Sequence, residues 1–338
     1  MKFLNLNIIK NLYGEEMGVQ FGDLIPKREI TLKDLRGKTL AIDGMNALYQ
    51  FLSGIRLRDG SPLRNSKGEI TSTYNGLFYK NIYMLEEGIT PVWVFDGEPP
   101  KLKYRVWEER RKMKEKAEEE YRRAKEEGKL EEMYKYAKRV NYLDSRIVKN
   151  SKRLLKLMGI PYIEAPSEGE AQCSYMVKKG DAYGVVSQDY DALLYGATRV
   201  IRNITTNKPL ELIELEEVLR HLGITLDYLI DMAILIGTDY NRGGVKGIGP
   251  KKALEIVKSK RIKEYIKYIP NYQEIKEIFK NPKVTDNYEI KLEPPDVEGL
   301  KKFLVDEMDF SEKRVLPHIK KLEKLYERRK QSTLEAWF

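Results

Sequence analysis

The chain has 338 residues, 41% of them hydrophobic and 33% charged, with a formal net charge of +9. That length holds one large domain or two ordinary ones, and the positive balance favours a polyanionic partner, because Lys and Arg displace counterions from phosphates. The single cysteine, Cys173, excludes an internal disulfide and points to a reducing compartment; no apolar run of about 18 residues is present to span a membrane, and the interrupted start from Met1 to Ile9 is a poor secretory signal.

Residues 1–16 read as detached. Met17-Gly18-Val19-Gln20 looks like a second start, and Gly14-Glu15-Glu16 would be encoded by a purine-rich run like a ribosome-binding site. The expectation is that residues 1–16 are a non-native or wrongly assigned extension. Lys38 to Asp43 reads as a short buried strand ending in an acid, followed by a helix from Gly44 to Leu52. Residues 53–73 are polar and Gly-rich, with turns at Asp59-Gly60 and Lys67-Gly68. A helix over Tyr74–Glu87 precedes a second apolar strand, Pro91 to Asp96, which also ends in an acid. Strand, helix, strand at this spacing predicts a parallel α/β sheet, and such sheets bind ligands outside the carboxyl ends of their strands.

Residues 101–150 change character, with 17 Lys and Arg against 11 Asp and Glu, so most of the net charge sits here. The apolar stripe (Trp107, Met113, Ala117, Tyr121, Ala124) is too narrow for a core helix, and Gly128 predicts a break into two helices. The segment fits either a solvated hairpin or a basic arch. Lys103 and Arg110 are two helical turns apart and share a face; they are either surface charge or a phosphate grip.

Pro166 to Asp191 holds two close acid pairs, Glu168/Glu170 and Asp189/Asp191, around a helical pattern, a Gly180 stop and a short strand from Ala182 to Val186. Asp43, Asp96 and Asp189 each follow an apolar strand run. Carboxylates this close cannot all stay ionised unless cations sit among them, and an all-oxygen set suits Mg²⁺ or Mn²⁺. Ser167-x-x-Glu170 also fits a simple capping box that would start any helix.

Val200–Ile204 and Leu210–Ile213 predict a further strand pair, and Leu226–Ile236 an apolar helix. Gly244-Val-Lys-Gly247-Ile-Gly249-Pro250-Lys251-Lys252 then fits the hairpin of a helix-hairpin-helix, whose free N–H groups hold a DNA backbone without reading sequence; a tight interhelical turn is the other reading. Residues 260–320 are mixed and helical. The tail ends Gln331-Ser-Thr-Leu334-Glu-Ala-Trp337-Phe338, whose apolar anchors either plug a partner's pocket or fold back on the chain's own surface.

Taken together, these stretches resemble the flap endonucleases, structure-specific 5′ nucleases, from about Met17 to Phe338. The specific matches are Met17 to Ile25, Val94-Phe-Asp96-Gly-Glu-Pro-Pro100, Met158 to Ala171, Gly237-Thr-Asp239-Tyr240 and Gly247 to Ala253. The resemblance implies a PIN-like α/β fold with a parallel-rich central sheet, a helical arch and a helix-hairpin-helix at about 226–258. The parts would be nuclease halves 17–100 and 151–325, an arch at 101–150 and a tail at 326–338. It implies a metal set of Asp43, Asp96, Glu168, Glu170, Asp189, Asp191 and Asp239, holding two Mg²⁺ for which Mn²⁺ may substitute. Lys103 and Arg110 would grip the scissile phosphate beside Glu168 and Asp189. Tyr49 would stack on substrate; Arg56, Gly247, Gly249, Lys251 and Lys252 would contact DNA, with residues 53–73 wedging the junction. Gln331, Leu334, Trp337 and Phe338 would bind a sliding clamp (proliferating cell nuclear antigen).

The implied activity is hydrolysis near the base of a 5′ flap, with 5′–3′ exonuclease activity, in Okazaki-fragment processing and base excision repair. The protein would be a monomer, cytoplasmic with the nucleoid in an archaeon or nuclear in a eukaryote. A related nuclease acting on bubble DNA, or a clamp-bound DNA binder without catalysis, are the alternatives. In the family the methionine matching Met17 comes first and lies near the active site, so sixteen preceding residues could crowd the DNA.

Overall fold

The computed structural model describes residues 19–57, 60–104, 116, 119–120, 122–124, 126–129, 132, 143–206 and 208–335, with side chains to residue 331. Seven strands are β1 (Arg28–Ile30), β2 (Thr39–Asp43), β3 (Thr90–Phe95), β4 (Tyr162–Glu164), β5 (Gly184–Val186), β6 (Arg199–Arg202) and β7 (Leu210–Glu214). They form one sheet in the order β1-β7-β6-β5-β2-β3-β4. The run from β6 to β4 is parallel, and β7 and β1 add an antiparallel edge. The expected parallel-rich sheet is therefore present. Its order reverses between β2 and β5, a switch point where α/β sheets open a crevice at their carboxyl ends.

Period-two side chains build two apolar layers. Leu40, Ile42, Trp93, Phe95, Val186 and Ile201 face one side; Ala41, Val92, Val94, Val185 and Val200 face the other. Helices α1 (Gly44–Gly54), α2 (Ser72–Glu86) and α3 (Ser145–Leu157) cover the first face. Helices α4 (Gly169–Lys179), α5 (Asp191–Leu194), α6 (Leu215–Leu222), α7 (Leu226–Ile236), α8 (Pro250–Lys258) and α9 (Tyr272–Lys280) cover the second. Burial of each large side chain contributes about 1.5–3 kcal/mol. Trp93, fully buried, satisfies its indole N–H on Asn81 Oδ1 at 2.9 Å.

Helix α2 starts at Ser72, two residues before the expected Tyr74, and the Ser72 hydroxyl ties this first turn to the preceding loop, donating to Ile55 O at 2.7 Å and accepting from Leu63 N at 2.9 Å. Helix α4 ends where expected, Gly180 taking φ 91°. Between α7 and α8 the chain folds tightly enough that a Cβ on Gly244 would lie 2.2 Å from Leu235 O. The hairpin thus requires glycine there, and Gly247 takes φ 79°.

Helix α10 (Val297–Lys301) leads through a π turn to α11 (Glu312–Glu335). The last helix runs unbroken past residue 326 and carries the chain into the tail as far as Glu335. Arg329 holds it to the body, donating to Thr90 Oγ1 at 2.9 Å and Ile89 O at 2.8 Å. Most of the expected arch, including Arg110, lies outside the described residues. Gly128 takes φ 68° in a turn, consistent with the expected break.

Candidate active site

All seven expected acids come to the carboxyl ends of the parallel strands. Asp43 is the last residue of β2 and caps α1, accepting from Asn46 N at 3.0 Å. Asp96 directly follows β3, Glu168 and Glu170 open α4, Asp189 lies in the β5–α5 loop, Asp191 starts α5, and Asp239 follows α7. Asp43 and Asp191 form a buried floor, Glu168, Glu170, Asp189 and Asp239 are half-buried, and Asp96 is exposed at the rim.

Each of several carboxylates has its own neutral donor. Gly169 N reaches Asp96 Oδ1 at 2.7 Å, and a Cβ on Gly169 would stand 2.8 Å from that same oxygen. Ser187 Oγ donates to Glu170 Oε1 at 2.8 Å, and Val19 N to Asp191 Oδ1 at 2.9 Å. The capping-box reading is thereby corrected. Glu168, not Ser167, is the N-cap, its own side chain makes no capping bond, the first N–H of α4 goes to Asp96 instead, and Glu170 turns to Ser187.

The one described cation in the cleft is Lys103, whose ammonium lies 2.5 Å from Glu168 Oε2 and 3.6 Å from Asp239 Oδ2. Burial works against its charge, but Glu168, Asp239 and Asp96 overcome that and hold its pKa well above the usual lysine range. The acids respond to the shared negative charge. Burial and then Asp96 push Asp43 up to about 7. Burial and then Asp239 push Asp191 up to about 7. Glu170, by burial and the charges of Asp43, Asp191 and Asp189, is held well above the carboxylate range. Asp189 is raised likewise, by burial and then Asp191 and Asp43, and burial also raises Glu168.

This is a largely buried, all-oxygen, strongly anionic donor set, and among the described residues Lys103 is the one cation that offsets it. The chemistry fits hard divalent cations. Among the described residues, no three acids already stand in ligand geometry around one point; Lys103 spans two of them instead.

The other expected residues divide. Tyr49 is half-buried on α1, one turn beyond Asn46. Lys251 and Lys252 are exposed in the first turn of α8, next to Gly247 and Gly249. Arg56 is committed to its own loop, donating to Ser53 O at 2.9 Å and Gly60 O at 2.7 Å. Gln331 is exposed on α11. Trp337, Phe338 and the side chain of Leu334 lie outside the described residues, as does Arg110.

Two groups at the site were not expected. Asn46 donates from Nδ2 to Asp189 Oδ2 at 2.8 Å and accepts from Gln188 N at 3.1 Å. Tyr195 and Tyr240 share a buried hydroxyl–hydroxyl bond of 2.7 Å, linking α5 to the turn that carries Asp239. The Asp43-x-x-Asn46 spacing signals a helix start but not a contact with Asp189.

Comparison with known proteins places similar chains in one family. Residues 17–117 match the XPG N-terminal domain and residues 159–239 the XPG I-region. A flap endonuclease 1 of Methanococcus aeolicus is 67% identical over 95% of this chain and 100% of its own length. That of Pyrococcus furiosus is 52% identical over 95% of this chain and 99% of its own length. The solved flap endonuclease-1 from Methanococcus jannaschii is 64% identical, with a TM-score of 0.79, covering 92% of this chain and 100% of its own. The catalytic core of Rad2 in complex with DNA substrate superposes with a TM-score of 0.66 at 25% identity, over 88% of this chain and 96% of its own.

Proposed function

The chain belongs to the flap endonuclease family of metal-dependent nucleases, and from that premise we propose that it hydrolyses 5′ flaps with two Mg²⁺ held by the seven acids. The observation that carries this is the convergence of those carboxylates at the β2/β5 switch point around Lys103. Divalent ions there would supply an acidified water and a sink for charge on the leaving oxygen.

The chain's own groups do the rest. Lys103, seated between Glu168 and Asp239, offsets charge on the scissile phosphate, and Arg110 adds a planar, bidentate grip. Tyr49 stacks on the substrate near the cut. The α7–α8 hairpin, with Lys251 and Lys252, holds duplex backbone without reading bases. Residues 331–338 dock the enzyme, as a monomer, on a sliding clamp. Flap removal in DNA replication and repair follows from this chemistry, with 5′–3′ exonuclease activity at free ends. In an archaeal cell the enzyme would work in the cytoplasm at the nucleoid.

A labelled double-flap DNA tests the reading. With Mg²⁺ the expected products are a flap fragment ending in a 3′-hydroxyl and a duplex with a 5′-phosphate, and EDTA stops the reaction. Cleavage indifferent to EDTA, or no cleavage, would overturn it.

A further inference from the structure

Asp43 ends β2 and Asp189 lies in the loop after β5, and these two neighbouring strands stand one on each side of the sheet's order reversal. Asn46 touches both. Its backbone N–H donates to Asp43 Oδ1 at 3.0 Å, and its side-chain amide donates to Asp189 Oδ2 at 2.8 Å. Its carboxamide oxygen accepts from Gln188 N at 3.1 Å. That third bond decides the orientation. The backbone N–H of Gln188 demands an acceptor, so Oδ1 must face it, and Nδ2 is left facing Asp189. The residue is only 5% exposed, so water is a poor substitute for any of the three.

We infer that Asn46 is a positioning residue, fixing the separation and orientation of the Asp43 and Asp189 carboxylates so that one divalent ion can be held between β2 and β5. The inference rests on the reading of the seven acids as a cation site. An amide is the side chain the position requires. An acid would add another charge to a cleft that already raises its carboxyl groups. An aliphatic residue would leave the Gln188 N–H and one Asp189 oxygen unpaired in a buried place. Partners that orient metal-binding carboxylates typically matter by 10–100-fold in affinity or rate.

The test compares wild type with Asn46→Ala and Asn46→Asp, the second keeping the volume and the acceptor for Gln188. Mn²⁺ binding to the DNA-free protein is followed by the electron paramagnetic resonance of free Mn²⁺. Thermal midpoints are taken in EDTA, and kcat and KM on double-flap DNA across a Mg²⁺ series. The expected result is Mn²⁺ affinity lowered about tenfold or more in both variants, a kcat loss recovered in part at high Mg²⁺ for Asn46→Ala, and KM for DNA within about twofold. A modest fall of the EDTA midpoint, from the unpaired Gln188 N–H in Asn46→Ala and the added charge in Asn46→Asp, with both variants still folded at the assay temperature, distinguishes this from a folding defect. If both variants bind Mn²⁺ within twofold of wild type, or if their loss tracks an EDTA midpoint collapse with no Mg²⁺ recovery, the role of Asn46 is overturned while the cation site stands. If wild type itself binds no Mn²⁺, the site reading has failed, and the inference with it.

Discussion

The ammonium of Lys103 lies 2.5 Å from Glu168 Oε2, joining the first turn after β3 to the start of α4. It is the one described positive charge within the acid cleft. Lys103→Ala is expected to lower kcat on flap DNA by about 10²–10³-fold, the usual scale for losing one preorganised charge on a developing anion, with a smaller change in KM. It should also lower the thermal midpoint in EDTA, because Glu168 and Asp239 lose their counter-charge. Unchanged kcat would remove Lys103 from the chemistry.

The metal-free protein should carry its acids as a stability cost. Asp43 and Asp191 are pushed to about 7 in the fold by burial and by Asp96 and Asp239, above their unfolded range near 4. The folded state therefore binds more protons over that interval, so stability in EDTA falls as pH rises from about 4 through about 7. Saturating Mg²⁺ should remove most of that fall. Asp189→Asn should abolish cleavage, leave flap-DNA binding largely intact and raise the EDTA midpoint. A midpoint in EDTA that rises with pH across this window would contradict the account.

Two glycines at the cleft should fail in different ways. A Cβ on Gly97 would fall 2.0 Å from Ala165 O, a backbone atom that cannot swing aside. Gly97→Ala should destabilise by about 1–3 kcal/mol, read by urea unfolding. On Gly169 the clash is with the Asp96 carboxylate, the mobile end of a side chain. Gly169→Ala should fold normally and lose activity by about tenfold or more through a displaced Asp96. Equal stability losses in the two variants would refute the distinction.

Removing residues 331–338 should leave basal cleavage unchanged and abolish stimulation by a sliding clamp. The body is expected to stay folded, since Arg329 remains bonded to Thr90 and Ile89. Stimulation of the truncated protein equal to that of the full chain would reject the clamp reading of the tail.

Local chemistry made much of this protein legible in one dimension. The apolar runs ending in Asp43 and Asp96, the Gly180 stop and the Gly244–Pro250 hairpin are short-range patterns, and short-range sterics and periodicity act on neighbours alone. The placement of acids after strands followed from those patterns, and so did the crevice that would gather them. What the chain order could not disclose was who touches whom across it. Asn46 meets Asp189 over 143 positions and Val19 meets Asp191 over 172. Glu170 turns to Ser187 rather than to a helix cap. Such pairings exist only once the β5-β2 pairing has set two distant strand ends side by side. The fold decides them because a hydrogen bond needs about 3 Å between heavy atoms, a distance that sheet order, not sequence separation, controls.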